Sequence, residues 1–91
     1  MKHAIEVGKP DRLPLENSIP SEYCEDYMYM GKAGDIVLYK HRLTRRYLNI
    51  NAVTGKFYRY SNDDYVEIDR RQAFDSVYGH DQPRRETWDG V

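Results

Sequence analysis

Apolar and polar positions alternate with a period of two through the middle of the chain. Leu48 and Ile50 fall on one side of an extended run from Arg46 to Asn51, and Tyr47 and Asn49 fall on the other. Ala52-Val-Thr-Gly55 follows as a turn in which Gly55 can take positive φ, and Lys56-Phe-Tyr-Arg-Tyr60 returns as a second strand. Ser61-Asn-Asp-Asp64 reads as a polar turn, and Tyr65-Val-Glu-Ile68 as a short strand with Val66 and Ile68 facing alike.

Upstream, Tyr27-Met-Tyr-Met30 and Asp35-Ile-Val-Leu-Tyr-Lys40 flank the glycine-containing loop Gly31-Lys-Ala-Gly34, which predicts another hairpin. A rival pattern covers the first run. Ser21 can cap a helix from Glu22 to Met30, with Gly31 as its stop. The alternation of Tyr and Met favours a strand from about Asp26.

After Ile68 the period changes. Asp69 is a suitable N-cap, Gln72 occupies the capping-box position, and Ile68 is placed to staple Ala73. Ala73, Phe74, Val77 and Tyr78 share one helical face, and Gly79 stands where a C-cap is expected.

Both ends differ from this centre. Pro10, Pro14 and Pro20 make residues 1–20 an extended or irregular arm, with Leu13, Leu15 and Ile19 available to pin it down. Residues 80–91 lack periodicity and read as a flexible tail, from which Arg84, Arg85 and Trp88 can dock on a partner. The chain is thus expected to carry one β-meander-plus-helix domain over residues 21–79. The fold class is α+β, a small antiparallel meander of four or five strands with one C-terminal helix across it. A small, partly closed β-barrel is the alternative.

Composition changes this picture little. A chain of 91 residues is one domain, burying only about 60% of the surface its unfolded form exposes. The nine tyrosines argue against wholesale disorder. Cys24 is the only cysteine, so no disulfide framework or four-cysteine zinc site exists, and a lone thiol suits a reducing compartment. No stretch reads as a signal peptide or a membrane span, so the expectation is a cytoplasmic protein without a membrane partner.

Charge is distributed unevenly. Between Ile36 and Asn62 there is no acidic residue, while Lys40, Arg42, Arg45, Arg46, Lys56 and Arg59 are all basic. Acidic residues flank this block on both sides, and Tyr39, Tyr47, Tyr58 and Tyr60 interleave with it. Three readings compete. Strands put Lys and Arg on their solvent face for no further reason. Tyr and Arg are also the residues enriched at protein–protein contacts. Basic residues with aromatics can bind a phosphate backbone while stacking bases.

Catalytic and metal chemistry find little to work with. His3, His41, His80 and Cys24 are scattered, with no pair at a metal-ligand interval. Cys24 with His41 is the only nucleophile–base pair to name, and such a cysteine more often packs as a small hydrophobe. Asp63-Asp64 sits in a turn, where Asp bonds its own backbone. Gly31 and Gly34 lack a phosphate-loop pattern around them.

The function expected is therefore a non-enzymatic protein-interaction module without cofactor or metal, for example an inhibitor or adaptor of a larger protein. Its expected contacts are Arg45, Arg46, Tyr47, Tyr58, Arg59 and Tyr60, with Arg45 and Arg46 steering approach. Nucleic-acid binding by the same face is the first alternative, and a self-associating homo-oligomeric subunit the second.

Overall fold

The computed structural model describes residues 5–79. Two helical turns, α1 (Leu13–Glu16) and α2 (Ser21–Cys24), lead into strands β1 (Tyr27–Ala33), β2 (Ile36–His41), β3 (Tyr47–Asn51), β4 (Phe57–Ser61) and β5 (Asp64–Ile68), and helix α3 (Arg70–Tyr78) follows. The five strands form one antiparallel sheet in sequence order, so the sheet is an open meander and not a barrel. The tail from residue 80, with Arg84, Arg85 and Trp88, lies outside the described residues.

Register assigns the two faces. Val37 pairs with Ile50, Tyr39 with Leu48, Ile50 with Phe57, and Phe57 with Ile68, so these side chains share one face. All of them are buried, together with Ala73, Phe74 and Val77 of α3. Asp69 caps this helix as the pattern predicts: its carboxylate accepts the Gln72 N–H at 2.7 Å, and the Gln72 side chain accepts the Asp69 N–H at 3.0 Å. Phe57 and Phe74 meet edge to face, 5.6 Å between ring centroids, with the Arg70 guanidinium over both rings.

The first strand resolves the rival readings by splitting the segment. Ser21–Cys24 forms a helical turn, but Ser21 lies inside it and Pro20 stands at the N-cap without a side-chain bond. The chain is extended from Tyr27 onward. That strand also runs further than the glycine pattern suggests. Gly31, Lys32 and Ala33 pair with Leu38, Val37 and Ile36 after a bulge between Tyr29 and Gly31, so the turn contracts to Gly34-Asp35.

The proline-containing arm is part of the core. Leu15 and Ile19 are fully buried, whereas Leu13 is exposed. Side-chain donors from within the arm and from the rest of the fold hold backbone carbonyls here. Arg12 donates to Cys24 O and Tyr27 O, Arg70 donates to Ser18 O, and the Tyr39 hydroxyl donates to Asp11 O at 2.6 Å. Further out, Glu6 bridges Lys32 with two backbone hydrogen bonds of 2.8 Å and extends the sheet past β1.

Two outcomes follow from this packing. Gly31 has φ +127°, and an added Cβ would lie 2.9 Å from Ile5 Cγ2 and 3.0 Å from Glu6 O. Gly31→Ala is expected to lower stability by about 1–3 kcal/mol in urea unfolding, because the conformation is strained and residues 5–7 must move off the sheet; unchanged stability would show that this seating contributes nothing. The Tyr27 and Tyr78 hydroxyls are 2.7 Å apart. Tyr27→Phe should remove about 1 kcal/mol by the same measurement.

Candidate functional site

The β3–β4 ladder is short. Only Asn49↔Tyr58 and Ile50↔Phe57 are paired, although both strands continue past Asn49 and Tyr58. Beyond the Asn49 pair the strands part, and a cleft of about 530 Å³ lies at the fork. That volume is within the ordinary range of ligand pockets, about 300–1,000 Å³.

The open face of the sheet supplies Tyr47, Tyr58, Tyr60, Tyr65, Leu38 and Asn49 to its lining, and Leu48, Ile68 and Ala73 line it from the helix side. Tyr60 and Tyr65 are cross-strand partners in edge-to-face contact at 4.9 Å. Burial pushes the Tyr65 hydroxyl above its usual range, and the neighbouring Tyr60 and Tyr47 hydroxyls add to that. Tyr47 and Tyr60 remain 43% and 55% exposed, which keeps rings at the mouth of the cleft in reach of a partner.

The amide of Asn49 sits at the fork. It is 4% exposed, and its Nδ2 donates to Tyr58 O at 3.2 Å. Among the described residues its Oδ1 is buried with no hydrogen-bond partner. The orientation follows from that bond, since a flipped amide would set two carbonyl oxygens against each other. An unpaired buried acceptor of this kind costs about 1–3 kcal/mol.

Two turns flank the mouth, because β3 starts where β4 ends. The β2–β3 turn carries Arg42, Arg45 and Arg46, and the β4–β5 turn carries Asn62 and Asp63, both at positive φ. His41 shapes the basic turn. Its Nδ1 accepts the Leu43 and Thr44 N–H groups at 3.1 and 3.2 Å. The ring packs edge-on against Tyr27 and Tyr78, at 5.0 and 5.1 Å. Burial lowers its pKa, and the Asp26 charge opposes this less strongly.

The expected contact residues therefore separate. Tyr47, Tyr58, Tyr60 and Arg59 line the cleft. Arg46 is not in the lining itself, but it donates at 3.4 Å to the backbone carbonyl of Ser76, a lining residue near the end of α3. Arg45 occupies a left-handed turn position (φ 65°). The basic block does not form one face. Arg42 is bonded to Glu25 O at 2.8 Å, and Lys56 pairs with Glu67 at 3.6 Å beyond the opposite end of the strands. Lys40 lies over the Tyr47 ring at 5.8 Å. Asn49 carries no site signal in the sequence, and His41 enters it only as a candidate base for Cys24; the part each takes at the cleft and its rim depends on their neighbours in the fold.

Cys24 and the Nδ1 of His41 each bond to backbone. The Cys24 thiol is directed at Pro20 O at 3.7 Å, and burial raises its pKa. The lone pair of His41 Nδ1 is already engaged by backbone. Among the described residues no group of three His, Cys, Asp or Glu side chains converges, and no helix is long and apolar enough to cross a membrane.

Fold and site together define a small α+β protein with an open meander, helical cover on one face and a tyrosine-lined cleft at a strand fork. No protein-family model matches the chain, and no curated protein or solved structure matches it.

The state of His41 predicts a pH effect. Its pKa in the folded protein lies below that of the unfolded chain, about 6.5, so the unfolded state binds more protons as pH falls through that region. Thermal stability should therefore drop between pH 7.5 and 5.5, and His41→Asn should flatten that drop. A parallel slope in the variant would assign the effect to other groups.

Proposed function

We propose that this protein is a non-enzymatic binding module that recognises another protein through the cleft between β3 and β4, in the manner of an inhibitor or adaptor. The observation that carries this reading is the cleft itself, an apolar cavity of about 530 Å³ walled by Tyr47, Tyr58, Tyr60 and Tyr65. Tyrosines supply large contact area with few rotatable bonds, which is why they dominate hot spots.

The surrounding charge favours a protein over a nucleic acid. One lip of the mouth is basic and the other carries Asp63 and Asp64 beside Tyr60 and Tyr65. A phosphate backbone laid along the tyrosines would meet those carboxylates, whereas a polypeptide can present both signs. The dispersal of Arg42, Arg46 and Lys56 onto other partners weakens a phosphate track further.

Tyr47→Ala and Tyr60→Ala, both at exposed positions, should fold normally and lose at least tenfold in partner affinity, about 1.4 kcal/mol. The measurement is capture from host lysate with and without nuclease, with Val53→Ala as a distant surface control. Capture that resists nuclease, survives in the control and fails in both tyrosine variants supports the reading. Capture that the variants leave intact, or that nuclease abolishes, overturns it.

A further inference from the structure

The Asn49 amide adds a chemical demand to the cleft. Its Nδ2 is committed to Tyr58 O, so the orphaned atom is the acceptor Oδ1. Whatever completes the site must therefore bring a donor. That donor has to arrive on an apolar body, because the surrounding lining is aromatic and aliphatic, with Tyr47, Tyr58, Leu38 and Leu48 close by. A charged donor such as an ammonium would be stripped of water in these surroundings without a counter-charge to meet it.

Resting on the protein-binding reading above, we infer that the cleft receives a tryptophan side chain of the partner, whose indole N–H donates to Asn49 Oδ1 while its ring packs among Tyr47, Tyr58 and Tyr60. Tryptophan is the side chain that combines a large flat apolar surface with a single N–H donor and no acceptor. Phenylalanine would leave Oδ1 unpaired. Tyrosine would bring a hydroxyl with acceptor capacity that also needs satisfying.

Access to Oδ1 requires a small opening, since the atom is covered. The fork provides it. Ladder pairing ends at Asn49 and Tyr58, Tyr47 is 43% exposed, and Tyr58 is only partly buried, so the rings that line the cleft beside the amide can turn without breaking a paired strand. The unsatisfied acceptor favours that opening whenever a donor is offered. The mixed charge of the lips then sets the flanks of the tryptophan: acidic residues toward Arg45, basic ones toward Asp63.

The test uses the full chain labelled with nitrogen-15 and titrated with free indole, followed by NMR. Indole is expected to shift the Asn49 side-chain amide and the backbone signals of Tyr47, Tyr58 and Tyr60. 1-Methylindole, which keeps the ring but lacks the donor, should bind at least tenfold more weakly. Asn49→Leu should fold, as judged by its spectrum, and should bind the two compounds alike.

Equal binding of indole and 1-methylindole to the wild type would overturn the N–H recognition while leaving the cleft as a site for aromatic rings, and so leaves the proposed function standing. Indole shifts confined to residues away from the fork would overturn the inference, and the lysate capture decides the broader reading independently. Tighter binding of adenosine than indole, with the same Asn49 shift, would reassign the cleft to a nucleobase. A cross-peak between the Trp88 indole proton and Asn49 in the unliganded protein would make the chain's own residue the occupant and overturn the assignment to a partner.

Discussion

Covering one face of the sheet is the constraint on which the rest of this structure depends. Five strands spaced about 4.8 Å apart make a sheet roughly 24 Å across, whereas one α-helix is about 10 Å wide. Helix α3 therefore packs chiefly on β3 and β4, reaching Tyr27 only through Tyr78 at its end, and leaves part of the core face needing another layer. The segment from Asp11 to Cys24 supplies it through Leu15, Ile19 and Cys24. Laying irregular chain on a core buries carbonyls that no ladder satisfies, and Arg12, Arg70 and Tyr39 meet that need at Cys24, Tyr27, Ser18 and Asp11. Charged and aromatic side chains that look like surface features in the sequence thus serve as internal struts.

The same economy explains the cleft. With one face covered and the other open, side chains on the open face can bury themselves only against one another. Leu38 and Asn49 are nearly inaccessible although they point away from the helix, and they line the cleft with Ile5, Tyr47 and Tyr58. Strand β3 is paired along its length with β2, and β4 along its length with β5, while only two residue pairs join β3 to β4. The sheet is therefore weakest in the middle of its ladder, at the place where an unsatisfied amide sits. Functional sites commonly hold such locally unfavourable features, and surrounding packing keeps them in place.

The two lips of the cleft show how a structural residue can prepare a surface. His41 is buried between Tyr27 and Tyr78, yet its ring nitrogen fixes the turn that presents Arg45 beside the mouth. The hydrogen-bonded Tyr27–Tyr78 pair closes the far side of that cluster, and burial pushes the Tyr78 hydroxyl up to about 12, so it stays protonated and able to hold the pair together. Core and rim are in this way one unit, joined by hydrogen bonds and edge-on ring contacts from α3 through β1 to the β2–β3 turn.

The pattern of the chain by itself determined the meander, the two faces of β3, the shared facing of Val66 and Ile68 in β5, and the capped helix. Those depend on periods of two and 3.6 and on local bonds such as Asp69 with Gln72, which neighbours in sequence settle between themselves. Tyr47, Tyr58 and Tyr60 share the open face, whereas Arg59, expected beside them as a contact, alternates onto the helix side with Phe57. Three matters were decided only by tertiary structure. Leu15 and Ile19 joined the core because the sheet is wider than its helix. Arg42, Arg46 and Lys56 were drawn to Glu25, Ser76 and Glu67, which no spacing rule reveals. The fork that leaves Asn49 Oδ1 unpaired depends on how far two strands stay together, and that is set by packing against neighbours on both sides rather than by the residues of either strand.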